Sequence, residues 1–159
     1  MASTTSVDYL LDTNVLLRTV DPRSTQHPLA KQAIHELSLR RHRLLITAQT
    51  LIEFWAVATR PVAVNGLGWD YEPARQELGE IQKRFPLLPD SPLILQEWLR
   101  LLATTRFAGK RVHDARLAAV MFAHGVTHLL TFNVEHFQNF PGLTVISPAS
   151  ISASTFPNT

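Results

Sequence analysis

The feature that most constrains this chain is the alternation of short, continuously apolar runs with segments of helical periodicity. The runs cover residues 7–11, 43–47, 85–88, 127–132 and 143–146. Strands that are apolar on both sides belong to sheets covered on both faces, because strands with one wet face alternate polar and apolar residues. Helical signals fill the intervals. Pro28 stands in a first turn with Leu29, Ala33 and Leu37 along one face. Thr50 and Glu53 have capping-box spacing at the start of a helix that Arg60-Pro61 ends. Leu78, Ile81 and Phe85 form a stripe over 73–85, and Asp90-Ser91-Pro92 opens a helix reaching about Arg106. Residues 114–124 are nearly all apolar, with Gly125 just past their end. This order predicts an α/β fold, a parallel sheet between two helical layers. No repeat, low-complexity stretch or long linker divides the 159 residues, so one domain spanning 1–159 is expected. The loop 62–69, with Asn65, Gly66 and Gly68, is the expected mobile segment.

Several function classes are excluded early. There is no cysteine, so disulfides and thiolate metal sites are impossible. The first twenty residues lack a basic flank, and Asp8 and Asp12 interrupt their apolar run. They read as neither a signal peptide nor a membrane span, and a soluble cytoplasmic protein is expected. The net charge of +2 is mild, but Arg106, Lys110 and Arg111 lead directly into His113-Asp114. Basic clusters of this kind can hold a phosphate backbone.

In doubly wound sheets, ligands bind beyond the carboxyl ends of the strands where the winding reverses. Asp12 follows the first apolar run and Asn133 the fourth. Glu53 stands in TLIEFWAV and Asp114 opens DARLAAVMFA, both among apolar neighbours. A carboxylate in such surroundings is costly without a partner, and gathered carboxylates raise one another's pKa unless a cation lies between them. Mg²⁺ or Mn²⁺, hard ions that prefer oxygen, suit that place. Each acid also has a plain structural reading: Asp12 as a helix cap, Glu53 as half of a capping box, Asp114 at the positive end of a helix. An ion site needs all of them at one edge, which capping does not.

The segments LLDTNVLLR, LIEFWAV, VHDARLAAVMFAHG and LLTFNVEHF, in this order, resemble the PIN-domain family. Within it they look most like VapC, the toxin branch of bacterial toxin–antitoxin pairs. The resemblance implies a five-stranded parallel sheet in order 3-2-1-4-5 with helices on both faces. It implies an acidic Mg²⁺ or Mn²⁺ site, endonucleolytic RNA cleavage, a cognate antitoxin protein and a homodimer. The family's first, second and third acids fall on Asp12, Glu53 and Asp114. Its fourth, usually aspartate, falls on Asn133, leaving one negative charge fewer unless Glu135 turns inward.

Around these lie lesser candidates. Asn14 is one turn before Arg18, which suggests a water-holding amide and a phosphate-binding guanidinium on one side of a helix. Thr131 shares a strand face with Asn133. His113, beside Asp114, reads as a partly buried helix-start residue. Trp55, Trp69 and Trp98 read as core or interface, and the stripe Leu78, Ile81 and Phe85 as apolar surface for a dimer. Two rival readings remain: a catalytically weak or inactive metal- or RNA-binding module, and a phospho-acceptor regulatory domain. The second lacks an acidic pair after its first strand and any lysine after Lys110.

Overall fold

The computed structural model describes residues 5–153. Strands β1 (Asp8–Leu11), β2 (Arg43–Thr47), β3 (Leu87–Leu88), β4 (His128–Leu130) and β5 (Thr144–Ile146) form one parallel sheet in the order β3-β2-β1-β4-β5. Leu10 lies opposite both Leu45 and Leu129 in register. Successive side chains leave a strand on opposite faces, so each strand feeds two cores. Tyr9, Leu11, Leu44, Ile46 and Leu130 enter one, where they meet α1 (Thr13–Val20), α2 (His27–Leu39), α3 (Ala48–Thr59) and α4 (Tyr71–Arg84). Leu10, Leu45 and Leu129 enter the other, against α5 (Leu93–Thr104) and α6 (Arg111–Ala123). Each fully buried leucine contributes about 2 kcal/mol, which explains why both faces of the strands are apolar. A further helix, α7 (Pro148–Ala153), packs on α2 through the buried Ile151.

The three-layer architecture and strand order therefore match the expectation, while several local features differ. The capping box lies one turn earlier than expected. Thr47 caps α3 and pairs with Thr50, because β2 runs directly into the helix. Glu53 is thus free of any capping duty. Neither Asp90 nor Ser91 caps α5 with its side chain; Asp90 instead pairs with Arg116. The stripe expected as dimer surface is not surface, since Ile81 and Phe85 are buried and Leu78 packs against the core. The exposed leucines are on α5: Leu93, Leu95, Leu99 and Leu102.

Loop 62–69 is stitched down rather than loose. Gly66, Leu67, Gly68 and Trp69 donate backbone hydrogen bonds to Pro61, Val57, Arg60 and Ala58. A Cβ on Gly66 would meet the Arg60 carbonyl oxygen at 1.8 Å, so only glycine fits there. Among the described residues, no helix is long and apolar enough to cross a membrane.

Candidate functional site

The winding reverses between β1 and β4, and the polar residues collect at that point. Asp12 directly follows β1, and its N–H continues the ladder to the Leu130 carbonyl at 3.0 Å. It also caps α1, so the capping and site readings coincide: its Oδ1 accepts from the Thr13 N–H at 2.7 Å. Its Oδ2 accepts from Thr131 Oγ1 at 2.6 Å and from Asn14 Nδ2 at 3.0 Å. All three donors are neutral.

Asn14 also donates to Thr131 Oγ1, and its carbonyl accepts from the Phe132 N–H. Thr131 is fully buried. Both were candidates for substrate contact, but their polar groups are engaged inside the protein, where they orient Asp12 across the β1–β4 seam. Arg18 donates through Nε to Gln26 Oε1 at 3.0 Å, just ahead of α2.

Glu53 reaches the same edge from α3. Its Oε2 accepts from Thr13 Oγ1 and its Oε1 from Gln49 Nε2, each at 2.9 Å. Asp114 lies in the first turn of α6, where the helix dipole favours a negative charge. Two basic side chains face it: Arg111 Nε at 4.0 Å and His136 Nδ1 at 3.6 Å. Arg111 also donates through Nη2 to the His136 carbonyl, while its Nε is buried with no hydrogen-bond partner among the described residues.

Asn133 is exposed just past β4, and its backbone N–H donates to Thr131 Oγ1 at 3.0 Å. Glu135 is exposed, 4.0 Å from His136 Nε2. His113 is exposed rather than partly buried, and Arg106 and Lys110 are exposed too.

The electrostatics follow from this arrangement. Desolvation pushes the Asp12 pKa up to about 6, against the hydrogen bonds from Thr131 and Thr13 and with the charges of Glu53 and Asp114 adding to the rise. Desolvation also raises Asp114, while His136 and Arg111 hold it down and Glu53 pushes it further up. Two acids raised by burial and by neighbouring negative charge, with Glu53 beside them, and with Asp12 and Glu53 served by neutral donors only, offer the oxygen donors a hard divalent cation prefers. Among the described residues, no three His, Asp or Glu side chains already form a cation cage. Glu53 must release one of its two hydrogen bonds to turn an oxygen toward an ion. In donor type the residues suit such an ion, while their spacing in this structure forms no ready site among the described residues.

Sequence reasoning missed Thr13, Gln49 and His136. Gln49 stood four residues before Glu53, a spacing that puts both on one helix face. His136 is brought in only by the turn after β4, which no local periodicity reports.

The PIN domain model matches residues 9–143. The chain is 29% identical over 131 residues to a protein named Ribonuclease VapC24 from Mycobacterium tuberculosis, covering 82% of this chain and 89% of that one. It superposes with a TM-score of 0.66 on a chain of VapBC2 from Rickettsia felis, at 16% identity, covering 89% of this chain and 98% of that one. A toxin–antitoxin complex from Klebsiella pneumoniae gives 0.60 at 22% identity, covering 88% and 97%. The match of the family model to most of the chain, on a sheet of the same order with its polar edge at the reversal, leads to one conclusion: this protein belongs to the PIN-domain family.

Proposed function

We propose that this chain is an Mg²⁺- or Mn²⁺-dependent endoribonuclease acting in the cytoplasm as the toxin of a toxin–antitoxin pair. The observation that carries the reading is Asp12: a desolvated carboxylate at the sheet's reversal point, served by neutral donors only, with Glu53 and Asp114 charges beside it. The resemblance to a protein named as a VapC ribonuclease supports RNA as the substrate. The likeness to a toxin–antitoxin complex supports an antitoxin as partner.

Asp12, Glu53 and Asp114 would hold the ion. When bound, it would activate a water and neutralise charge developing on a phosphodiester. The protein's own contribution is geometric. Thr131 and Asn14 lock the Asp12 carboxylate, Thr13 links Asp12 to Glu53, and Arg111 and His136 limit repulsion at Asp114. Asn133, past the end of β4, would offer an amide oxygen that can ligate without adding charge. That neutral fourth position favours a second reading, a module that binds metal or RNA and cleaves weakly.

Incubating total RNA with the protein and Mn²⁺ or Mg²⁺, then mapping new ends, separates the two. Discrete metal-dependent cuts support the nuclease. Intact RNA that is nonetheless retained by the protein supports the module.

A homodimer belongs to the same proposal. Leu95, Leu99 and Leu102, spaced i, i+4 and i+7 on α5, leave one face of the helix apolar and exposed, which suits a partner copy. Light scattering at micromolar concentration should give twice the 17.9 kDa chain mass. A Leu95→Glu, Leu99→Glu double variant should give the monomer, and a monomeric wild type would contradict the dimer.

A further inference from the structure

We infer that Gln49 is a positioning residue that sets the carboxylate of Glu53 and ties it to the start of the helix carrying Asp114. The inference rests on reading Asp12, Glu53 and Asp114 as the ion-holding acids. Gln49 is the second residue of α3, one helical turn before Glu53. It is only 9% exposed, and every hydrogen-bonding group of its side chain is engaged. One amide hydrogen goes to Glu53 Oε1 and the other to the His113 carbonyl, both at 2.9 Å. Its Oε1 accepts from Arg116 Nη1 at 3.2 Å.

Arg116 is itself fixed from outside. Its Nη2 lies 3.2 Å from both carboxylate oxygens of Asp90, in the connection before α5. This gives the amide a single workable orientation. Turned over, it would set its NH₂ against the guanidinium and its oxygen against the Glu53 carboxylate. An ordinary i,i+4 contact on a helix surface contributes only a few tenths of a kcal/mol. This one is buried and bridges α3 to α6, and removing it strands a carboxylate oxygen and a backbone carbonyl.

With Thr13 on one oxygen and Gln49 on the other, Glu53 is held in one rotamer. The donors are unequal in consequence. Thr13 Oγ1 can rotate away, whereas the Gln49 amide is pinned by Arg116. The oxygen that turns toward an ion is therefore Oε2, and Gln49 keeps Oε1.

The test is Gln49→Met, which nearly preserves length and removes both donors, read by Mn²⁺ calorimetry alongside cleavage kinetics. Side chains that orient metal ligands typically matter 10- to 100-fold. The expected result is Mn²⁺ affinity weakened about tenfold, a lower kcat, and a KM for RNA within about twofold of wild type. In a Glu53→Gln background, Gln49→Met should weaken Mn²⁺ no further, since its effect passes through the Glu53 carboxylate.

An equal loss in both backgrounds marks a merely structural residue and overturns the inference. Wild-type affinity in Gln49→Met overturns it while leaving the three acids intact, whereas a wild-type protein that binds no Mn²⁺ overturns both. Should Gln49→Met fail to fold, Arg116→Met carries the test. About threefold weaker Mn²⁺ binding supports the inference, and unchanged binding overturns it.

Discussion

Asp12→Asn should lower the rate of RNA cleavage by about a hundredfold or more, the largest loss from any single conservative change at this site. Asparagine removes the charge and also inverts one hydrogen-bonding group. Its NH₂ would face Thr131 Oγ1 and Asn14 Nδ2 at the Oδ2 position, or the Thr13 N–H at the Oδ1 position, so either orientation sets donor against donor. The variant should therefore lose the ion and also disturb the β1–β4 seam. Glu53→Gln and Asp114→Asn should each cost at least about tenfold, with combined losses well short of additive, because the acids act as one unit. Asp114 is the milder site, since Arg111 and His136 already offset its charge. Initial rates on a mapped RNA cut check the series. Full activity in Asp12→Asn would remove that residue from the chemistry.

The second large effect is a Mn²⁺-induced rise in melting temperature that depends on pH. In the ion-free fold burial pushes the Asp12 pKa from an ordinary 3.8 up to about 6. A carboxyl raised on folding favours the folded state while protonated. Its contribution is complete below about pH 4 and is lost as pH rises through about 6, worth ~3 kcal/mol at most at 1.36 kcal/mol per unit. Asp114, also raised, acts in the same direction. His42, lowered chiefly by burial, opposes them by losing stability as pH falls, so the bare pH profile is a mixture.

The ion separates the contributions, because it needs the ionised acids and competes with protons for them. At pH 7.5, Mn²⁺ at about a hundred times its Kd should stabilise by ~2.7 kcal/mol, a shift of roughly 5–10 °C. At pH 5 most of that shift should vanish. Differential scanning calorimetry at both pH values, with Mg²⁺ and Mn²⁺, is the check. A shift of equal size at pH 5 and 7.5 would place the ion away from Asp12.

Most of the sheet was legible because burial on both faces leaves a direct mark. Residues 43–47 read as a strand and form β2 unchanged. β3 shrinks to Leu87–Leu88 because Phe85 belongs to the end of α4 and fills the core there. Asp12 and Asp114 were legible as acids in apolar surroundings next to structural boundaries. The error at Thr50 has a physical cause: two threonines three residues apart can each start a box, and only the length of β2 decides between them.

The same ambiguity left Glu53 with two readings, half of a capping box and one of the gathered acids, and the box at Thr47 and Thr50 removes the first. Thr131 and Asn14 were singled out, though not for the hydrogen bonds they make to Asp12. A sequence shows that a hydroxyl and an amide lie near a carboxylate, not that the β1–β4 pairing turns both inward. The Arg116–Asp90 tether joins residues 26 apart in the chain, and no local pattern carries it. Exposed leucines on α5 escaped notice because an apolar stripe reads the same whether the core or a partner covers it.

The central claim is that Asp12, Glu53 and Asp114 hold a divalent ion at the reversal of the sheet. Crystals grown with Mn²⁺ and measured by anomalous diffraction test it without reference to any RNA. The account predicts a peak within about 2.0–2.3 Å of an oxygen from Asp12 and at least one from Glu53 or Asp114, with waters completing an octahedron. It also predicts that Gln49 still donates to Glu53 Oε1. A well-ordered crevice with no anomalous peak at millimolar Mn²⁺, or a peak held by other residues, would contradict it.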